Sequence, residues 1–200
     1  PVLAVRPRRA HGCVLTVTVN KPIKLAVIGR GLIGSAAARH LSKMGHEVAL
    51  IGPGEPADFP RHDGVFGSHY DEGRITRTYD PQAFWRQMNR AAIARYGEIA
   101  AESGVDFYRE AGALHVGNSE TTDVASVGQV CADEAIGCEA YRDAALAERF
   151  PFLQSTSGML GYFEPRNAGY ISPRRLVRAQ AIAAEHAGAR IIDEAALGSS

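Results

Sequence analysis

Apolar residues in this chain fall into short unbroken runs separated by stretches with three- and four-residue spacing, the alternation expected of an α/β fold. Residues 24–28 close with Leu25, Ala26, Val27 and Ile28, a continuous run of the kind a strand covered on both faces requires. The next stretch, to about Met44, carries Ile33, Ala37 and Leu41 at the spacing of one buried helical face, and Gly45 stops it. Residues 47–51 supply a second strand. Residues 52–80, rich in Gly, Pro, His and Arg, read as a long loop, and loops of that length inside a domain are functional or disordered; the functional reading is preferred. Asp80 as cap and Pro81 in the first turn open a helix that carries Trp85, Met88, Ala92, Tyr96 and Ile99 as a core stripe and ends at Gly104. Strands at 112–116 and 159–163 and helices at about 121–135 and 143–149 follow. Ser172 as cap and Pro173 at the first position start the last helix, with Leu176, Ala179 and Ala183 on one face, and Gly188 ends it before a strand at 189–192. The first and last parts thus predict a parallel sheet, residues 21–80 and 166–200, with a second layer, residues 81–165, inserted into it.

Composition narrows the function classes. The chain has 200 residues, 46% of them hydrophobic, with 22 basic and 22 acidic side chains. That is ample for a core, and zero net charge argues against nucleic acid or a membrane surface as partner. No apolar run approaches a membrane span, so a cytoplasmic location is expected. Cys13, Cys131 and Cys138 are an odd number without metal-ligand spacing, which predicts reduced, buried or incidental thiols and no metal site. Residues 1–20, basic through Arg6, Arg8 and Arg9, read as an extension without a fold of its own, a transit peptide being the other reading. The stop at Ser200, just after a strand, predicts an N-terminal fragment truncated within its fold.

The strand-to-helix junction carries Gly29-Arg30-Gly31-Leu32-Ile33-Gly34, the dinucleotide-binding fingerprint in its proper setting. Gly29 permits the tight turn, Gly31 lets the backbone approach a pyrophosphate, and Gly34 lets the helix sit close on the sheet. Leu32 and Ile33 open the helix, whose free N–H groups and positive dipole end favour an anion. The acid that normally ends the second strand and accepts from the ribose is missing: Gly52 stands there, and Glu55 follows in the loop as the candidate ribose ligand. The missing acid also leaves room for a 2′-phosphate. An NADP-dependent dehydrogenase of the hydroxyacid type therefore stays open as an alternative, as does a nucleotide-binding fragment without catalysis.

A second stretch, Gly67-Ser68-His69-Tyr70-Asp71-Glu72-Gly73-Arg74-Ile75-Thr76-Arg77, is more specific. With Phe107 to Leu114, Arg149-Phe150-Pro151, Phe163-Glu164-Pro165 and Gly169, it resembles the FAD-dependent oxidoreductases of the D-amino-acid oxidase (DAO) type, nearest their sarcosine-oxidase and N-methyltryptophan-oxidase branch. The resemblance runs over about residues 24–192. It implies a Rossmann-like FAD-binding domain with an inserted α+β substrate layer, and oxidation of a C–N bond in a small amine or amino acid.

By the same resemblance Gly29, Gly31 and Gly34 hold the ADP half of FAD. Ser68, His69 and Arg74 lie against the flavin, and Arg77 pairs with a substrate carboxylate. A guanidinium offers a planar bidentate grip on a carboxylate, and cations beside the flavin favour its anionic reduced form. The plainer alternative is that Arg74 and Arg77 pair with Asp71, Glu72 or Asp80 on a solvated surface, and that His69 is structural. Two departures stand out: Gly52 for the ribose acid, and Tyr70 where the sarcosine oxidases commonly carry a second histidine.

Overall fold

Most of the apolar runs become strands and most of the spaced segments helices in the computed structural model, which describes residues 3–6, 23–63, 67–154 and 157–199. The chain order opens with β1 (Leu3–Arg6), β2 (Leu25–Ile28), α1 (Leu32–Lys43), β3 (Val48–Ile51), β4 (Arg74–Thr76), α2 (Ala83–Ile93) and α3 (Tyr96–Ser103). There follow β5 (Tyr108–Glu110), β6 (Ala113–Asn118), α4 (Thr122–Asp133), β7 (Glu139–Arg142) and α5 (Asp143–Arg149). The last elements are β8 (Met159–Glu164), β9 (Gly169–Ile171), α6 (Pro173–His186), β10 (Arg190–Ile192) and β11 (Ala195–Ser199). Two units pack internally: one from Pro1–Glu72, Glu98–Phe107 and Ser172–Ser200, the other from Gly73–Gly97 and Tyr108–Ile171.

The first unit is α/β around a parallel sheet in the order β10-β3-β2, with Leu25 opposite Val48 and Ile192 opposite Ile51. β3 is central and wholly buried, as its unbroken apolar run requires. β2 differs from the expectation of burial on both faces: Leu25 is 37% and Ile28 63% exposed, because β2 is the edge strand of this sheet among the described residues. α1 and α6 pack on one face, where Ala38, Val48, Leu50, Ala181, Ala184 and Ala189 form the core; Ile23 and Ile192 pack on Ala49 and Ile51 in a second cluster.

α1 is rotated from its predicted face. Ser35, Ala38, Arg39 and Ser42 are buried while Ile33 is 87% exposed, because the small side chains let α1 come close to α6. The Arg39 guanidinium, 1% exposed, reaches Glu98 at 3.7 Å and Glu102 at 3.6 Å on α3, and Lys43 joins the same two carboxylates. This network attaches α3 to the first unit, whereas the sequence pattern put it in the inserted layer. β1 pairs antiparallel with β11, so four residues of the expected structureless extension are a strand that satisfies its backbone on a neighbour. The rest of residues 1–20, Cys13 included, lies outside the described residues.

The second unit holds two antiparallel three-stranded sheets, β4-β9-β5 and β6-β8-β7. β4 falls inside the stretch read as loop, and β5, β7 and β9 were not foreseen, being only three or four residues long. The aromatic stripe also divides. The chain leaves the helix at Ala94 and Arg95, so spacing counted across that break describes no single face: Trp85 is 50% and Met88 39% exposed, whereas Tyr96 and Ile99 are buried on α3. Cys131 and Cys138 are joined in a disulfide with Cα atoms 6.0 Å apart, correcting the expectation of free thiols. Cys138 lies past the end of α4, and the left-handed Ala135 (φ 50°) turns the chain back so that the two sulfurs meet.

Candidate functional site

The junction of β2 and α1 is a bare backbone cradle. Gly29 adopts φ +104°, a left-handed conformation that L side chains rarely tolerate, while its N–H bonds the Ile51 carbonyl at 2.8 Å. Gly31 is the N-cap of α1 in an extended conformation; no side chain caps the helix and no acid sits in its first turn. Gly34 presses on the turn itself, for a Cβ there would stand 1.8 Å from the Gly29 carbonyl oxygen. Leu32 and Ile33 contribute the first helical N–H groups. An open helix start framed by glycines fits a diphosphate, since the first-turn N–H groups have no partner within the helix.

Beside this cradle the strand tips and the start of α6 enclose a cleft of about 460 Å³, lined among others by Arg30, Glu55, His69, Arg174, Arg178 and Asp193. Glu55, the candidate ribose ligand, forms an ion pair with Arg174 at 2.6 Å. His69 is 8% exposed, meets Tyr70 edge-on with ring centres 4.7 Å apart, and has Nδ1 3.8 Å from where a Cβ on Gly31 would stand. Ser68 next to it is exposed. The 67–72 loop is tied to α6 and its cap: Arg174 donates to the Tyr70 carbonyl and to Glu72, both at 2.9 Å, and the Ser172 hydroxyl donates to Glu72 at 2.9 Å. The Ser172 hydroxyl, and after it Arg174, hold the Glu72 carboxyl below its usual range. Ser172 also caps α6 by accepting from the Arg175 N–H at 3.3 Å.

Arg74 and Arg77 belong to the second unit. Arg74 opens β4 opposite Ile171. Arg77 donates Nε to the Tyr79 carbonyl at 3.2 Å, lies 4.9 Å over the Tyr79 ring, and has Asp80 at 4.0 Å. Tyr79 is fully buried, and desolvation pushes its hydroxyl up to about 12. Nearby, buried Glu164 accepts from the Thr78 N–H at 3.0 Å and from the Thr78 hydroxyl, and burial raises its carboxyl.

Sequence reasoning missed Arg30, Arg174 and Asp193. The available signal for Asp193 was its place directly after a predicted strand, at the same end of the sheet as Gly29 and Gly52. Among the described residues no helix is long and apolar enough to cross a membrane.

Comparison with known proteins agrees with this architecture. A family described as FAD dependent oxidoreductase (DAO) matches residues 24–199. N-methyl-L-tryptophan oxidase of Yersinia pestis (strain Pestoides F), and that of Yersinia pseudotuberculosis serotype O:1b (strain IP 31758), are each 27% identical over 169 residues, covering 84% of this chain and 44% of the relative. The chain thus spans less than half the length of these curated relatives. Among solved structures, NikD, an unusual amino acid oxidase essential for nikkomycin biosynthesis, superposes with a TM-score of 0.66 at 19% identity, covering 84% of this chain and 42% of that one. Glycine oxidase from Bacillus cereus ATCC 14579 gives 0.60 at 21% identity, covering 86% and 47%. L-proline dehydrogenase from P. horikoshii gives 0.65 at 18% identity, covering 88% and 45%.

Proposed function

The chain belongs to the family of FAD-dependent oxidoreductases, and from that premise we propose that the protein oxidises a C–N bond of a small amine or amino acid in the manner of the sarcosine oxidases. The family's cofactor is FAD, which sets aside the NADP-dependent hydroxyacid reading. The observation that carries the proposal is the cradle itself: a glycine turn too tight for any side chain at Gly34, leading into a helix start that no side chain caps. In this reading the first unit is a Rossmann-like FAD-binding domain and the second unit part of an inserted substrate layer.

Each group then has a distinct role. The N–H groups of Leu32, Ile33 and Gly34 bind the diphosphate, with Gly29 and Gly31 keeping the approach open. His69, packed beside Gly31, and Ser68 line the path from the diphosphate toward the flavin. Arg74 supplies positive charge for the reduced ring, and Arg77 grips the carboxylate of the substrate. Arg77 suits that role, since its backbone bond and the Tyr79 ring orient the guanidinium, while Asp80 at 4.0 Å is at the limit of an ion pair and can yield to a bidentate ligand. FAD, when bound, would supply the electron sink that accepts a hydride equivalent from the C–H of the carbon bonded to the substrate nitrogen.

Anaerobic mixing of the FAD-loaded protein with N-methyl amino acids tests this reading. Bleaching of the oxidised flavin band is expected, faster than with an N-methyl amine that lacks a carboxylate. Arg77→Ala is expected to weaken the apparent affinity for the carboxylate substrate about tenfold or more, the worth of a lost charge-assisted bond. Bound flavin that dithionite reduces but no amine does would overturn the proposal.

A further inference from the structure

Dinucleotide sites of this architecture normally read the adenosine ribose with an acid at the tip of the second strand. Here Gly52 occupies that place, and its surroundings explain why no acid can. A Cβ at Gly52 would stand 2.7 Å from the Arg30 nitrogen and 3.0 Å from the Arg30 Cβ, close to the chain itself and not to a flexible side-chain end. The Gly52 N–H is meanwhile bonded to the Ile192 carbonyl at 3.0 Å. Position 52 is therefore committed to seating β3 against the glycine turn and against β10. Glu55, three residues on, is held by Arg174 at 2.6 Å.

A carboxylate nevertheless stands at these strand tips. Asp193 directly follows β10, the parallel neighbour of β3. Its Oδ1 accepts the Gly54 N–H at 2.5 Å and its Oδ2 lies 3.8 Å from the Arg30 guanidinium, so it spans from the tip of one strand to the loop after the next. The approach is close at position 54, where a Cβ would stand 3.4 Å from Asp193 Oδ2 and 3.3 Å from Arg30 Nη1. The Asp193 side chain is 57% exposed and lines the 460 Å³ cleft next to the cradle. A carboxylate offers about four acceptor sites, and the Gly54 and Arg30 contacts use two of them. The remaining pair suits a vicinal diol.

Resting on the FAD reading above, we propose that Asp193, supplied from the end of β10, is the ribose-binding acid of this protein's adenosine site and takes the place of the acid that Gly52 cannot carry. Arg30 and the Gly54 N–H position it. The same negative charge repels a 2′-phosphate, so Asp193 also sets the preference for an unphosphorylated adenosine ribose.

Calorimetric titration of the 200-residue protein with ADP, 2′-deoxy-ADP, 3′-deoxy-ADP and 2′,5′-ADP tests this, with thermal melts of each variant as a check on folding. The wild type is expected to lose about tenfold in affinity when a hydroxyl that Asp193 accepts from is removed. In Asp193→Ala, ADP binds about tenfold more weakly and that discrimination disappears. Asp193→Asn keeps an acceptor for the Gly54 N–H and so preserves the fold even where alanine does not; it is expected to raise the affinity for 2′,5′-ADP relative to ADP. If both variants discriminate as the wild type does, the Asp193 assignment falls and the FAD reading stands. If the folded wild type binds no ADP at all, both fall together.

Discussion

Glu72 shows how a single side chain can fasten the site. It is bound by the Ser172 hydroxyl and by Arg174, and these contacts lower its proton affinity in the folded state relative to its ordinary value of 4.5. A group whose folded pKa is depressed contributes stability that is present above 4.5 and is lost as the pH falls through the folded value. Acid is therefore expected to weaken the Glu72 tie between the 67–72 loop and α6, and Glu72→Gln to flatten this part of the curve of melting temperature against pH. An unchanged acid limb in Glu72→Gln would contradict the clip. The residues that sequence made legible are those whose reasons are local: the glycines of the cradle, and Ser172 with Pro173 at the start of α6. Asp193 and Gly54 meet across a separation of 139 residues, and the buried Arg39 finds its carboxylates on α3. No local pattern announces such pairs, and Arg39 stands at a position that polarity alone assigns to solvent.

Elements were legible in proportion to their length and self-sufficiency. α5 and α6 carry their own signals, and β3 is an unbroken apolar run, so their existence follows from spacing. β4, β7 and β9 owe their form to partners: β9 lies between β4 and β5, and β7 extends along β8. The break between α2 and α3 was hidden because both halves carry apolar residues at helical spacing. The disulfide was missed for a similar reason, since its two cysteines meet only because α4 ends and the chain reverses at Ala135. It closes a sequence separation of 7 residues beside a core of Tyr79, Ala113, Val127 and Ala168. A bridge over so short a loop is worth about 2 kcal/mol by chain entropy. Melting the protein with and without dithiothreitol, and as Cys138→Ser, is expected to show a loss of that order in both cases. Identical melting curves would mean that the bridge contributes nothing.

At the scale of the whole molecule, the alternation of apolar runs and spaced helices was enough to give an α/β fold with a parallel sheet, and the second unit's short antiparallel strands only emerged with their pairings. The central claim is narrower: the β2–α1 cradle, with the strand tips beside it, holds FAD. Titration of FAD into the protein, followed by quenching of flavin fluorescence, tests it most directly. Saturable one-to-one binding is expected, competed by ADP and abolished by Gly34→Ala, whose Cβ would collide with the Gly29 carbonyl oxygen at 1.8 Å. Absence of FAD binding by the folded protein, or binding that Gly34→Ala leaves unchanged, would contradict the account.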